Sequence, residues 1–135
     1  MSSSVHFSSQ TVEWPTPAAV YEALDAEFGF TFDPCPVGGE IDGTARLLNN
    51  WSGKRVFCNP PYGPQLRGFL ECWKDAELAV YLIPARTDVR WFHEIVLPFA
   101  KEIRFVKGRL KFGDATNSAP FPSMIVVFDS TPEAA

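Results

Sequence analysis

Apolar positions recur along this chain at two spacings, and their alternation predicts helices and strands in turn. Val20, Ala23, Leu24 and Phe28 repeat at three- and four-residue intervals, which puts them on one face of a helix. Thr16 stands where an N-cap would, Pro17 fits the first helical position, and Gly29 supplies a C-terminal stop. Residues 30–33 and 55–58 read as short strands, and 78–83 (Leu-Ala-Val-Tyr-Leu-Ile) as a strand buried on both faces. Helices are predicted over 65–76 and from 88 to about 97, with further strands at 103–106, 109–112 and 124–128. Proline cannot donate to a β-ladder, so Pro120 and Pro122 should precede the last strand or lie on its edge. The pattern describes a layered α/β sheet with flanking helices.

Size changes this picture little. A chain of 135 residues suffices for one domain with a modest core. We read residues 1–10 and 131–135 as tails around a single domain spanning 11–130. With 46% hydrophobic and 21% charged residues the composition is globular. No apolar run approaches the roughly 18 residues that a membrane span requires, so no membrane partner is expected. The first ten residues lack the basic patch and apolar stretch of a secretory signal. Cys35, Cys58 and Cys72 match no zinc or disulfide spacing, which predicts free thiols in a reducing cytoplasm and no metal site.

Charge is more informative in its distribution than in its sum. The net charge is −4, yet residues 84–111 carry seven basic side chains against three acidic ones. That segment is locally positive while the rest of the chain is strongly negative. Such asymmetry presents one basic face to a polyanion, although a solvated helix and strand face would read the same way.

The most specific chemical signal is Asn59-Pro60-Pro61-Tyr62, at the end of the apolar run 55–58. Each proline fixes its own φ and restrains the residue before it. The Asn59 amide and the Pro60 carbonyl can thereby be held as two acceptors, matching the two hydrogens of an exocyclic amino group. Tyr62 offers a face on which the same ring can stack. The alternative is a turn that merely ends a strand.

With this element in place, the chain resembles the amino-group methyltransferases, and most closely the small phage-type DNA N6-adenine methyltransferase (Dam) family. The resemblance covers nearly the whole chain. It is carried by Glu13-Trp14-Pro15-Thr16-Pro17, Phe32-Asp33-Pro34-Cys35, Asp42-Gly43 before Trp51, Asn59 to Tyr62, Pro84-Ala85-Arg86-Thr87-Asp88 with Trp91-Phe92-His93, Gly108 to Gly113, and Ala119-Pro120-Phe121-Pro122-Ser123. It implies a compact, reduced Rossmann-like methyltransferase sheet, S-adenosylmethionine as cofactor, DNA as partner, and a phage or prophage protein acting in the bacterial cytoplasm. No segment of this chain is long enough to form a separate recognition domain, so either sequence specificity is low or short-site, or a homo-oligomer supplies the missing surface.

Further site roles follow from the resemblance. Thr16, Pro17, Asp33, Pro34 and Cys35 would hold the methionine end of the cofactor, with the Asp33 carboxylate near the ammonium. Thr16 reads equally as a helix cap, and Asp33 as a turn former. Only 25 residues separate Asp33 from Asn59, too few for two strands with their crossovers, since one crossover takes at least about 10 to 12. The strand that ordinarily carries an acidic ribose ligand is therefore missing or rudimentary, and Gly38-Gly39 falls short of a full glycine-rich loop. Asp42 is the candidate for the ribose contact, and Asn50 with Trp51 for the adenine. Asp42-Gly43 is equally a turn, and Trp51 equally core.

Asn59 and Pro60 would accept from the target amino group, and Tyr62 would stack the base with Phe112 as a second wall; Phe112 reads equally as core. Arg86, Lys107, Arg109 and Lys111 would contact phosphates, which sets register without reading sequence. His93 is taken as structural. The remaining alternatives are another planar acceptor (adenine in RNA, cytosine N4, protein glutamine) and a noncatalytic nucleic-acid-binding module.

Overall fold

The computed structural model describes residues 15–35, 51–111 and 119–131. Asp42, Asn50, Phe112, the Gly38-Gly39 turn and the tail 1–10 lie outside the described residues. Four strands, β1 (Arg55–Cys58), β2 (Leu78–Pro84), β3 (Glu102–Phe105) and β4 (Ser123–Asp129), form one sheet in the order β1-β2-β4-β3. β1 and β2 are parallel, whereas β4 runs antiparallel to both of its neighbours. The sheet is thus mixed, consistent with a reduced Rossmann-like methyltransferase fold.

Side-chain alternation along the strands builds a core on each face. Val56, Cys58, Ala79, Tyr81, Ile83, Met124, Val126 and Phe128 pack on one side, beneath α2 (Leu66–Glu71) and the helical segment 90–99. Phe57, Leu78, Val80, Leu82, Ile125 and Val127 pack on the other, beneath α1 (Ala18–Phe28). β2 is buried along its whole length, which explains its unbroken apolar run. Its one polar tip, the Tyr81 hydroxyl, donates to the Phe69 carbonyl at 2.7 Å and so ties the sheet to α2.

The first helix differs from its expected form at both its start and its face. Its N-cap is Pro17 rather than Thr16, and the Pro17 carbonyl accepts from Val20 and Tyr21 N–H at 3.1 Å. Ala23 is exposed, and Tyr21 joins Val20, Leu24 and Phe28 against the core instead. Gly29, at φ 66°, ends the helix in the left-handed region that glycine adopts without a Cβ penalty. Arg55 Nε donates to the Phe28 carbonyl at 2.7 Å while its guanidinium pairs with Glu77 at 2.6 Å, which fastens this helix end to β1.

The strand expected over 30–33 contracts to a single parallel bridge between Phe32 and Val56. The cause lies just downstream. Asp33 Oδ1 accepts from Cys35 N–H at 2.8 Å, an Asx turn that bends the chain out of extended form before Pro34. The helix expected over 65–76 tightens after Glu71 into a 3₁₀ turn, Cys72–Asp75. Residues 109–111 leave the sheet after Gly108, whose φ of 75° turns the chain, so no strand forms there. In the segment 90–99 the backbone widens into a π turn at Phe92–Val96, with Leu97 N–H bonded to the Phe92 carbonyl. Pro98 explains it: its ring clashes with the carbonyl of Glu94 and it has no N–H to offer, so the turn expands to accommodate it. α3 (Leu97–Phe99) closes the segment.

The expected placement of Pro120 and Pro122 before the last strand holds, with β4 starting at Ser123 and the Pro122 carbonyl accepting from Ala85 N–H at 2.9 Å. Among the described residues no helix is long and apolar enough to cross a membrane.

Candidate active site

Strand polarity gathers the chemistry-bearing loops at one edge of the sheet. Phe32 pairs parallel to Val56, and β1 is parallel to β2, so the segments following them (33–35, 59–63 and 85–91) emerge at the same carboxyl edge. β4 is antiparallel, which brings its entry, Pro120-Phe121-Pro122, to that edge as well. β3 in turn delivers Lys107, Arg109 and Lys111 there. Ligands of open α/β sheets collect in this position.

Asn59 follows the last residue of β1 and is 8% exposed, with Pro60 and Pro61 buried behind it. Its Nδ2 donates to Thr16 Oγ1 at 2.9 Å, a contact spanning the chain from the entry of α1 to the exit of β1. Beneath it, burial and a hydrogen bond with Cys35 push the Cys58 thiol well up. The Cys58 thiol stays protonated and unreactive, and its contact with Cys35 brings the 33–35 turn against the 58–59 junction. Asp33 is mostly withdrawn from water, which pushes its carboxyl up, partly offset by the hydrogen bond from Cys35 N–H. A carboxylate kept at a desolvation penalty fits a cationic ligand such as an ammonium group.

On the Tyr62 side of the motif opens a cleft of about 460 Å³, lined by Tyr62, Gly63, Leu66, Pro84, Arg86, Trp91, Pro120 and Phe121. The Tyr62 ring meets Phe121 edge-on, 5.2 Å between centroids at 71°. Its hydroxyl reaches the Leu82 carbonyl at a long 3.4 Å, and burial pushes its pKa up, so the phenol stays neutral. Arg86 is exposed, and neither it nor Lys107, Arg109 or Lys111 forms an ion pair among the described residues. The other basic residues of the 84–111 segment are engaged: Arg90 with Glu94, Lys101 with Asp129, and Arg104 with Glu27 and Glu102.

The sequence-predicted residues therefore sort into three groups. Asn59 with Thr16, and Asp33 with Cys35 and Cys58, are brought together, while Tyr62 and Arg86 share the cleft. Trp51 stands apart in the core at 2% exposure, between Phe32 and Tyr81, each 6.4 Å away by ring centroids. Asp42, Asn50 and Phe112 lie outside the described residues. His93 Nε2 lies 2.7 Å from the Thr87 carbonyl, a contact between the 85–89 turn and its helix. Sequence reasoning gave no site role to Phe121 or Trp91. Phe121, set between two prolines just ahead of a buried strand, was the available signal, but it becomes decisive only once β4 is known to run antiparallel to β2.

An amide-led Asn-Pro-Pro-Tyr turn at the carboxyl edge of a mixed, doubly covered sheet, beside an aromatic cleft, is the construction of a Rossmann-like methyltransferase. Over residues 4–133 the sequence matches the family model for DNA N-6-adenine-methyltransferase (Dam), and the chain belongs to that family. Membership implies methyl transfer to adenine N6, with DNA as substrate. No curated protein matches the chain.

Proposed function

We propose that this protein transfers a methyl group from S-adenosylmethionine to the N6 amino group of adenine in DNA, with low or short-site sequence specificity. The observation that carries this reading is Asn59 held at the end of β1 by Thr16, next to a cleft walled by Tyr62, Phe121 and Trp91. S-adenosylmethionine, when bound, supplies an electrophilic methyl group on a sulfonium. Thr16, Pro17, Asp33, Pro34 and Cys35 would hold its methionine end, and the desolvated Asp33 carboxylate suits the ammonium. Asp42 and Asn50 remain the candidates for its nucleoside.

The nitrogen of an aromatic amine is a poor nucleophile because its lone pair is delocalised into the ring. Asn59 Oδ1 and the Pro60 carbonyl, accepting its two hydrogens, favour a more localised lone pair and fix its direction. No acid or base side chain is needed for this; orientation and fixed dipoles carry the effect. Tyr62 stacks the extruded base, with Phe121 and Trp91 completing the wall. Arg86, Lys107, Arg109 and Lys111 bind phosphates, which leaves sequence reading to few contacts and accords with loose specificity.

The direct test supplies labelled S-adenosylmethionine and unmethylated duplex DNA, digests to nucleosides and separates them by mass. Label on N6-methyladenine is the expected result. Label on cytosine, or transfer only to RNA or protein, would replace the acceptor in this reading; cofactor binding with no transfer to any of these would replace the reaction.

Asp33 yields a second expectation. Its pKa is raised in the folded protein, so its ionised form opposes folding: the carboxyl's contribution to stability is present at low pH and is lost as pH rises through the raised value. Asp33→Asn keeps the acceptor for Cys35 N–H and removes the charge. The free variant should melt higher than the parent at neutral pH, the gap closing in acid, while its affinity for S-adenosylmethionine falls. Parallel melting curves across pH, or unchanged cofactor affinity in calorimetry, would remove Asp33 from the ammonium site.

A further inference from the structure

β3 leaves one border of the sheet open. It pairs with β4 alone, and among the described residues no strand lies on its other side, whereas β1 is flanked by the Phe32 bridge. Val106 N–H donates to the Ser123 carbonyl at 3.0 Å, and antiparallel partners bond through alternate residues. Glu102 and Arg104 therefore bond toward β4, while the N–H and C=O groups of Ile103 and Phe105 point outward. An open row of this kind is a template for a further strand. The side chains add to it. Phe105 is 64% exposed, on the face where Ile103 packs against the core, and Leu97 and Phe99 of α3, just ahead of the other end of the strand, are 54% and 55% exposed. On the opposite face Arg104 pairs with Glu27 and Glu102.

A second copy of this chain matches that edge in both charge and apolar surface. A two-fold axis normal to the sheet would pair β3 antiparallel with itself, and the outward groups allow it to be centred on Ile103, Arg104 or Phe105. Centring on Arg104 sets two guanidiniums opposite each other, which is unfavourable. Centring on Phe105 leaves Glu102 and Arg104 without an opposite charge. Centring on Ile103 exchanges N–H and C=O between the two Ile103 residues and sets each Glu102 opposite the partner's Arg104, at the non-hydrogen-bonded positions where side chains come closest. The same register carries each Phe105 to the level of the partner's Lys101, two residues past the partner's α3 with its exposed Leu97 and Phe99. Apolar groups at opposite ends of one strand thus cover each other, as an isologous contact requires. We propose that this protein forms a homodimer by antiparallel pairing of β3 across a two-fold at Ile103, joining the two four-stranded sheets into one. The carboxyl edges of the two sheets then point in opposite directions, so the two clefts open away from each other and neither copy adds recognition surface to the other's cleft.

Sedimentation velocity over a range of concentrations reads the dimer by mass, so its outcome does not depend on whether DNA is methylated. The wild type should pass from monomer to dimer as concentration rises. Phe105→Lys removes the apolar cover, and Glu102→Arg turns two attractive pairs repulsive, because the two-fold repeats each contact. Both positions are exposed, so circular dichroism should be unchanged while the dimer weakens about tenfold or more. Arg104→Glu alone should weaken it likewise. Mixing Glu102→Arg with Arg104→Glu restores opposite charges at both contacts, and the mixture should form a heterodimer that neither variant forms by itself. A wild type that stays monomeric at every concentration would overturn the proposal and leave the edge to an extended segment of some other protein. A dimer indifferent to both Phe105→Lys and Glu102→Arg would place the interface elsewhere, and folded charge variants that stay apart on mixing would overturn the register.

Discussion

Replacing Asn59 by alanine is expected to lower methyl transfer by at least about 100- to 1,000-fold, the range seen when one preorganised polar group is removed from a reacting centre. The variant should fold. The Asn59 side chain donates a neutral hydrogen bond to Thr16, and a bond of this kind is worth about 1 kcal/mol. Stability rests instead on the two apolar layers, in which Tyr81, Phe57, Phe69 and Phe128 are fully buried. Thermal melts within a few degrees of the parent, near-normal S-adenosylmethionine affinity and no detectable N6-methyladenine would together place the loss in the reaction. Turnover within a few-fold of the parent would mean that the Asn59 amide is not the acceptor for the amino group.

Tyr62 should separate ring from hydroxyl. Stacking of a base on an aromatic side chain is worth about 1–3 kcal/mol, so Tyr62→Ala should lower kcat/KM by roughly five- to 150-fold. Losing the ring also opens the wall it shares with Phe121, which enlarges the cleft and lets the base sit loosely. Tyr62→Phe keeps the ring and gives up only the long 3.4 Å contact to the Leu82 carbonyl, so its kcat/KM should stay within about threefold of the parent. Comparing the two variants on the same DNA decides the matter: a severe loss in the phenylalanine variant would move the function of Tyr62 from its face to its hydroxyl.

The parts of this fold that were legible in the sequence are those whose neighbours scarcely matter. β1, β2 and β4 are runs of apolar residues that must be buried wherever they lie, and each formed within a residue of its expected bounds. β3 also formed within a residue of its expected span, whereas local chemistry altered other segments. The Asx turn at Asp33 shortened a strand, Gly108 turned another segment out of the sheet, and Pro98 widened a helix that its periodicity described as regular. For the site, Asn59-Pro60-Pro61-Tyr62 announced itself because proline constrains the backbone without help from tertiary structure. The cleft beside it did not. Trp91, Phe121 and Arg86 are dispersed over the sequence and meet only because β4 reverses direction, a fact no spacing contains. The contact of Asn59 with Thr16 is of the same kind: a threonine before a proline looks like a cap, and only the arrival of β1 beside it gives the hydroxyl another task.

The reversal of β4 also bears on how such a protein can change its target. The ladder bonds of the sheet lie behind the rim on which the 85–91 turn and the Pro120-Phe121-Pro122 segment stand, while Ala85, Val89, Trp91 and Phe121 from these segments pack against the core layers. Replacement of the exposed positions of those two segments, with Ala85, Val89, Trp91 and Phe121 kept, could therefore redirect which bases flank a modified adenine while leaving the scaffold intact. In so small a framework, diversification and structural integrity are assigned to different stretches of chain, and a library confined to the rim would sample recognition without spending its members on proteins that do not fold.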